Sequence, residues 1–214
     1  MKNVFFSFEG IDGSGKDTLI EYCVHLIKSD PEIFGDKYSN IWVTREPTKI
    51  TKAGKELAKK LKEGFNSGLE AALLFVEDRI QHSKIIKEML NHSHVLCSRY
   101  DLSTLAYQKT QGVGFEELCK MHKYGQEEGT LLPDLTIYIK VDPEIAIKRV
   151  YKRKEDKEVF EKLDFQTKLV ENYDFVINEL QKRGRKILVL DGNQSLERVK
   201  NEFRSKLMNY QNEL

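Results

Sequence analysis

Cysteine is scarce in this chain: Cys23, Cys97 and Cys119 are scattered and odd in number. That excludes a disulfide framework, and two of the three fall in apolar element patterns, as reduced core thiols do. Neither sign of charge is in excess. The 35 Lys and Arg against 34 Asp and Glu leave a net +1, so no basic field argues for nucleic acid or for an anionic membrane. No apolar run is long enough to span a bilayer. The first residues hold one Lys, a few apolar side chains and then Glu9, which is too soon charged for a secretory leader. Repeats, low-complexity segments and linkers are missing too. A single domain over residues 1–214 with a large core, in the cytoplasm, is the expectation. Histidines do not cluster as a catalytic set, and His92-Ser93-His94 offers too few ligands for a metal site.

What is present is a phosphate loop. Residues Phe8 to Thr18 read FEGIDGSGKDT, with Gly10, four residues, then Gly15-Lys16. Gly10, Gly13 and Gly15 permit positive φ and expose successive N–H groups at a helix start, an anion site. Lys16 then supplies a point charge for the outer phosphates. Val4, Phe5, Phe6 and Phe8 before the loop read as a buried strand. Leu19, Ile20, Cys23, Val24, Leu26 and Ile27 after it read as a helix face. The loop residues expected to bind ATP are Gly10, Ile11, Asp12, Gly13, Ser14, Gly15, Lys16, Asp17 and Thr18.

Strand patterns recur at 4–8, 41–44, 94–98, 135–141 and 186–190, each short and apolar, as parallel strands buried on both faces are. Helical patterns separate them at 52–61, 67–90, from 103, after Asp142-Pro143, at 160–182 and from 196, while 124–133 reads as a loop. The fold class is therefore α/β, a three-layer sandwich with a five-stranded parallel sheet. Ligands in such folds sit past the carboxyl ends of strands. That singles out the glycine loop, Arg45-Glu46-Pro47 (where a cis bond is open) and Arg99-Tyr100-Asp101. Residues 148–160 carry Lys148, Arg149, Lys152, Arg153, Lys154 and Lys157, and read as a lid that closes cations over phosphates or as a solvated turn.

Five motifs in order, FEGIDGSGKDT, TREP at 44, LLFVEDRIQH at 73, SRYDLSTLAYQ at 98 and PDLTIYIKVDPEIAIKR at 133, resemble those of the thymidylate kinases and cover nearly the whole chain. The resemblance implies a P-loop nucleoside monophosphate kinase fold. It also implies transfer of a phosphoryl group from ATP to dTMP with Mg²⁺, in dTTP synthesis, by a homodimer. It places Arg45 and Arg99 on the acceptor phosphate and Phe75 and Arg79 on thymine. Thr104 and Gln108 go to the ring N–H and nearby groups, Tyr107 against the ribose 2′ position, and Asp12 near the sugar 3′-OH. Lys16, Asp12, Arg99 and the lid residue Arg153 are the catalytic candidates, and Glu158 and Glu161 match acidic positions after the lid. For Phe75 alone, core packing is the plainer reading, and Ser103 reads as structural. A general base is not required, because the attacking phosphate oxygen is already ionised at pH 7.

Two positions depart from the family pattern. Ser98 stands where an Asp is usual, and Asp17 where a Ser or Thr is frequent. Both fall where Mg²⁺ is expected, so a reciprocal exchange of acid and hydroxyl is the hypothesis, and it requires the two side chains to meet directly or through one water. Glu77 replaces a usually small residue. A kinase for another deoxynucleotide or for a nucleoside, and a non-catalytic nucleotide switch, are the alternative functions.

Overall fold

The computed structural model describes residues 3–30, 40–150 and 157–212 of the chain. Five strands form one sheet: β1 (Phe5–Glu9), β2 (Asn40–Arg45), β3 (Ser93–Ser98), β4 (Leu135–Lys140) and β5 (Ile187–Asp191). All pairs are parallel in the order β2-β3-β1-β4-β5, which puts the strand before the glycine loop at the centre. The described helices are α1 (Lys16–Ser29), α2 (Lys52–Glu63), α3 (Gly68–Met89), α4 (Asp101–Thr110), α5 (Phe115–Glu127), α6 (Pro143–Val150), α7 (Lys157–Lys182) and α8 (Leu196–Asn212).

Alternation along β1 builds the layers. Phe6 and Phe8 point to one face, where they meet Tyr210 and Phe203 of α8 edge-on at 6.4 and 6.1 Å. Phe5 points to the other, against the Tyr100 ring at 5.1 Å, with Ile86 of α3 in the same cluster. Tyr138 of β4 stacks on Tyr173 of α7 with centroids 4.9 Å apart. Fully buried aromatics of this kind cost about 3–5 kcal/mol each to truncate, so packing on both faces anchors the central strand from which the glycine loop leaves.

Two expectations need correction. The strands at the sheet edges are not buried on both faces: β2 and β5, each paired on one side only among the described residues, are largely half-exposed, at the margins of the covering helices. Residues 124–127, read as loop, are the last turn of α5. The misleading signal is Gly125. It is buried, and a Cβ there would lie 3.1 Å from Val76 Cγ1 and 3.2 Å from Thr130 Oγ1, so this glycine lets α5 pack closely on α3 instead of opening a turn. Cys23 and Cys97 are buried and all three cysteines are free thiols. No helix among the described residues is long and apolar enough to cross a membrane.

Candidate active site

The glycine loop leaves the centre of the sheet and turns into α1 with Gly10, Gly13 and Gly15 at φ 144, 81 and 93. Gly13 is the tightest: a Cβ would stand 2.4 Å from Ala146 O of α6. No side chain caps α1, so its first N–H groups remain for an anion. Lys16 is buried and folds back over the loop, donating from Nζ to Gly10 O (3.0 Å) and Ile11 O (2.9 Å). Burial first, and then the Arg99 charge, bring its ammonium down to about 7, against the pull of Asp12, Glu9 and Asp17. Arg149 of α6 reaches Gly13 O at 3.3 Å and Gly192 O at 3.0 Å, tying the loop to the helix that precedes the basic segment.

Beside the loop opens a cleft of about 360 Å³, within the usual range for small-molecule sites. Phe75, Arg79, Arg99, Thr104, Tyr107 and Gln108 line it, with Asp12 at the loop end. Sequence positions 12, 75, 79, 99, 104, 107 and 108 thus converge. Arg99 bridges cleft and loop. It donates to Asp12 Oδ1 at 2.6 Å and lies 5.1 Å over the Tyr107 ring. Burial opposes its charge, but Tyr107, Tyr173, Asp12 and Glu9 outweigh burial and keep it protonated. Burial likewise works against a charged Asp12, yet Arg99 and Lys16 hold its carboxyl below the usual value.

At the far end of the cleft Arg79 is 1 % exposed. Its Nε and Nη2 both bond Glu46 Oε2, at 2.9 and 2.8 Å, and Nη2 also donates to Thr104 Oγ1 at 2.7 Å. Burial disfavours its charge, and Glu46 restores it. Glu46 is held in turn by His82, whose Nδ1 is 3.0 Å from Oε1 and whose Nε2 meets Thr44 Oγ1 at 2.9 Å. The Glu46–Pro47 peptide is cis. Asp78 secures the same turn by accepting from Thr48 N–H (2.7 Å), Thr48 Oγ1 (2.6 Å) and Thr51 Oγ1 (2.5 Å). One helix face, Asp78, Arg79 and His82, therefore both holds the turn after β2 and presents a guanidinium. Among the described residues, two buried polar atoms of the cleft side chains find no hydrogen-bond partner: Arg79 Nη1, a donor, and Gln108 Oε1, an acceptor. Leaving each unpaired costs about 1–3 kcal/mol, so the pair has the character of a site built for a ligand edge.

Arg45 does not line this cleft. It is exposed at the end of β2, 3.7 Å from Asp17 Oδ2, beside a separate hollow that also contains Thr44 and Ser98. In that hollow Ser98 Oγ donates to Asp17 Oδ1 at 3.2 Å, the direct approach that the exchange hypothesis requires. Thr18 is exposed on the first turn of α1. No group of three or more His, Cys, Asp or Glu that could hold a metal occurs among the described residues. Arg153 lies outside the described residues, as does the middle of the basic segment, while Lys148 and Arg149 are helical. Glu77 is exposed and accepts from Gln81 Nε2 at 2.9 Å, and nothing in the structure explains it. Glu9, Glu46, Asp78 and His82 form networks that the sequence reading did not foresee. An acid at the end of an apolar strand was the available signal for the first, and the i, i+1, i+4 polar face of α3 for the rest.

A five-stranded parallel sheet with a glycine anion loop after its central strand, facing a second cleft across one arginine, defines a P-loop nucleoside monophosphate kinase-like protein. A family model described as thymidylate kinase matches residues 8–203. The chain is 35% identical to the probable thymidylate kinase of Methanocaldococcus jannaschii, over 97% of this chain and 97% of that protein. It is 31% identical to the thymidylate kinase of Staphylococcus haemolyticus, over 97% and 98%. It is 36% identical to the probable thymidylate kinase of Methanococcus maripaludis, over 82% and 78%. The chain belongs to the thymidylate kinase family.

Proposed function

We propose that the glycine loop holds the ATP phosphates, that the 360 Å³ cleft holds dTMP, and that Arg99 lies between the two polyanions. The enzyme is an ATP:dTMP phosphotransferase that forms dTDP for dTTP synthesis. The observation that carries the acceptor assignment is the unpaired couple at the end of the cleft, Arg79 Nη1 and Gln108 Oε1. A pyrimidine edge with a carbonyl beside a ring N–H, as in thymine, satisfies both. Cytosine presents an amine and a bare ring nitrogen, the reverse polarity, and leaves both unsatisfied. Phe75 supplies an apolar surface for the base, and Tyr107 closes the sugar side beneath Arg99.

Phosphoryl transfer of this kind needs positioning and charge neutralisation more than covalent chemistry. Loop amides and Lys16 neutralise the donor, and Arg99 the acceptor. Asp12, held by Arg99, faces the sugar end. Arg45, placed at the loop corner, is assigned to the phosphates from that side. Arg153 and the other cations that follow α6 in sequence are assigned to the lid. Mg²⁺, general in this family, fits the Asp17–Ser98 pair: one carboxylate and one hydroxyl are the hard oxygen donors that ion takes, together with phosphate oxygens and water. It would neutralise charge building on the transferred group. A homodimer is proposed through α3, whose Leu69 and Leu73 are exposed one turn apart. A coupled assay of ADP release with dTMP, dUMP, dCMP, dGMP and thymidine tests the assignment. Turnover with dTMP and little with dCMP or thymidine is expected. Equal rates with a purine nucleotide, or ATP binding without any acceptor, would overturn it.

A further inference from the structure

On the face of β1 opposite Phe6 and Phe8 sits a carboxylate that the reaction scheme above does not use. Glu9 closes the strand and is 0% exposed. Uncharged donors take both its oxygens: Oε1 accepts Tyr100 N–H at 2.7 Å, and Oε2 accepts the Ser103 hydroxyl. Between those two donors lies the start of α4. Arg99, just before it, has φ 64, a left-handed backbone that a residue with a Cβ adopts only when its surroundings hold it there. The holding contacts are successive: Arg99 N–H donates to Phe8 O at 2.9 Å and Tyr100 N–H to Glu9. The end of β1 thus grips two consecutive amides of the turn.

Proton counting at Ser103 extends the grip to the guanidinium. Ser103 Oγ has one hydrogen, and it goes to Glu9. Its lone pairs then accept from Arg99 Nη1 at 3.3 Å and from the Tyr173 hydroxyl at 2.9 Å. If Glu9 gave a proton instead, the Ser103 hydrogen would have to turn to the Tyr173 hydroxyl, since Arg99 can only donate.

We infer that Glu9 is a positioning residue for the acceptor phosphate: its carboxylate fixes the Arg99–Tyr100 turn and polarises Ser103, so that the Arg99 guanidinium is aimed at the gap between loop and cleft. The inference rests on the reading of the cleft as the dTMP site. The charged groups that face Glu9 are Arg99 and Asp101 around the start of α4, Lys16 from the loop and Arg185 after α7, with Tyr100 and Tyr173 as neutral neighbours. Burial pushes the Glu9 carboxyl up to about 7 despite the Ser103 hydrogen bond. The two hydrogen bonds of this buried acid go to the residue after Arg99 and to the hydroxyl that Arg99 Nη1 contacts, so it supports the arginine without touching it.

The test is Glu9→Gln. The amide preserves shape and both contacts, but its Nε2 donates to Ser103 and reverses the hydroxyl. The expected result is a fall of at least tenfold in kcat/KM for dTMP, carried by the KM for dTMP, with the KM for ATP within twofold and the Tm at pH 8 no lower than wild type. Ser103→Ala breaks the same relay, so the double variant should fall no further than the worse single one. Acceptor constants of Glu9→Gln within twofold of wild type would overturn the inference, as would equal losses toward ATP and dTMP with a lowered Tm. Wild-type enzyme that makes no dTDP would overturn the dTMP reading itself.

Discussion

Replacing Arg79 by Lys separates base reading from structural support. The guanidinium spans three partners at once: Glu46 through Nε and Nη2, Thr104 through Nη2, and the cleft through the unpaired Nη1. A lysine keeps the positive charge that buried Glu46 needs, so the large penalty of an uncompensated buried carboxylate, about 3–5 kcal/mol, is avoided. Its ammonium cannot reach all three. Thr104 loses its donor and Glu46 one of two bonds, a loss of about 1–3 kcal/mol. For a chain of this size that lowers Tm by roughly 3–10 °C. The cleft loses one charge-assisted hydrogen bond to the base, about 1.5–3 kcal/mol, which is roughly 10- to 150-fold in acceptor affinity. Steady-state kinetics well below the Tm should show the KM for dTMP rising by that factor, the KM for ATP within twofold, and the preference for dTMP over dCMP shrinking alike. A lowered Tm with acceptor KM and dCMP discrimination unchanged would make Arg79 a purely structural ion pair with no part in base reading.

Further outcomes follow from single features. Glu9 titrates near 7 when folded against 4.5 as a free side chain. The folded state therefore holds the proton longer, and wild-type stability from this group is intact below 4.5 and lost as pH rises through about 7. Glu9→Gln removes that loss, so its stability relative to wild type should grow by about 3 kcal/mol between pH 4.5 and pH 8 in urea melts, and a pH-independent difference would contradict the buried-acid assignment. The Asp17–Ser98 pair predicts rescue: Asp17→Ser alone should raise the Mg²⁺ concentration for half-activity severalfold, and Asp17→Ser with Ser98→Asp should bring it back. Failure of the double exchange to recover would separate the pair from the metal. Gly13→Ala places a Cβ 2.4 Å from Ala146 O at a positive φ, so it should abolish nucleotide binding in a titration with ATP, and retained affinity would show that α6 yields. Leu73→Glu should shift the molecule to a monomer in sedimentation if α3 is the dimer face.

Periodicity made the framework legible. Every strand was visible within a residue or so, because parallel strands are short apolar runs whose ends coincide with turn residues. The edges were misjudged because an apolar run does not say how many neighbours a strand has; Ile41 and Val43 look as buried as Phe6 but lie in an edge strand. Helix α5 escaped because only Leu118 and Gly125 along it are buried, too few for an apolar stripe, and because a packing glycine looks the same as a turn glycine. In the site, the loop and Arg99 were foreseeable from motif spacing and a strand end, while the convergence of Arg79, Tyr107 and Gln108 with them was implied by the family resemblance. The Glu46–Arg79–His82 and Glu9–Ser103–Tyr173 networks were not, since they join residues from different crossovers through hydrogen bonds that no local pattern encodes. Arg45 shows the same limit: a strand-end position fixes which rim of the site an arginine occupies, not which cleft it lines.

In the proposed function, loop amides, Lys16 and Arg99 bring a donor triphosphate and a thymine-bearing acceptor together. The most direct measurement is chromatographic detection of dTDP and ADP from purified protein with Mg²⁺, ATP and dTMP, run beside Arg99→Ala. Stoichiometric dTDP and ADP from wild type and a loss of at least a hundredfold in the variant are the predicted result, while ADP release indifferent to dTMP, or a variant as active as wild type, would contradict it.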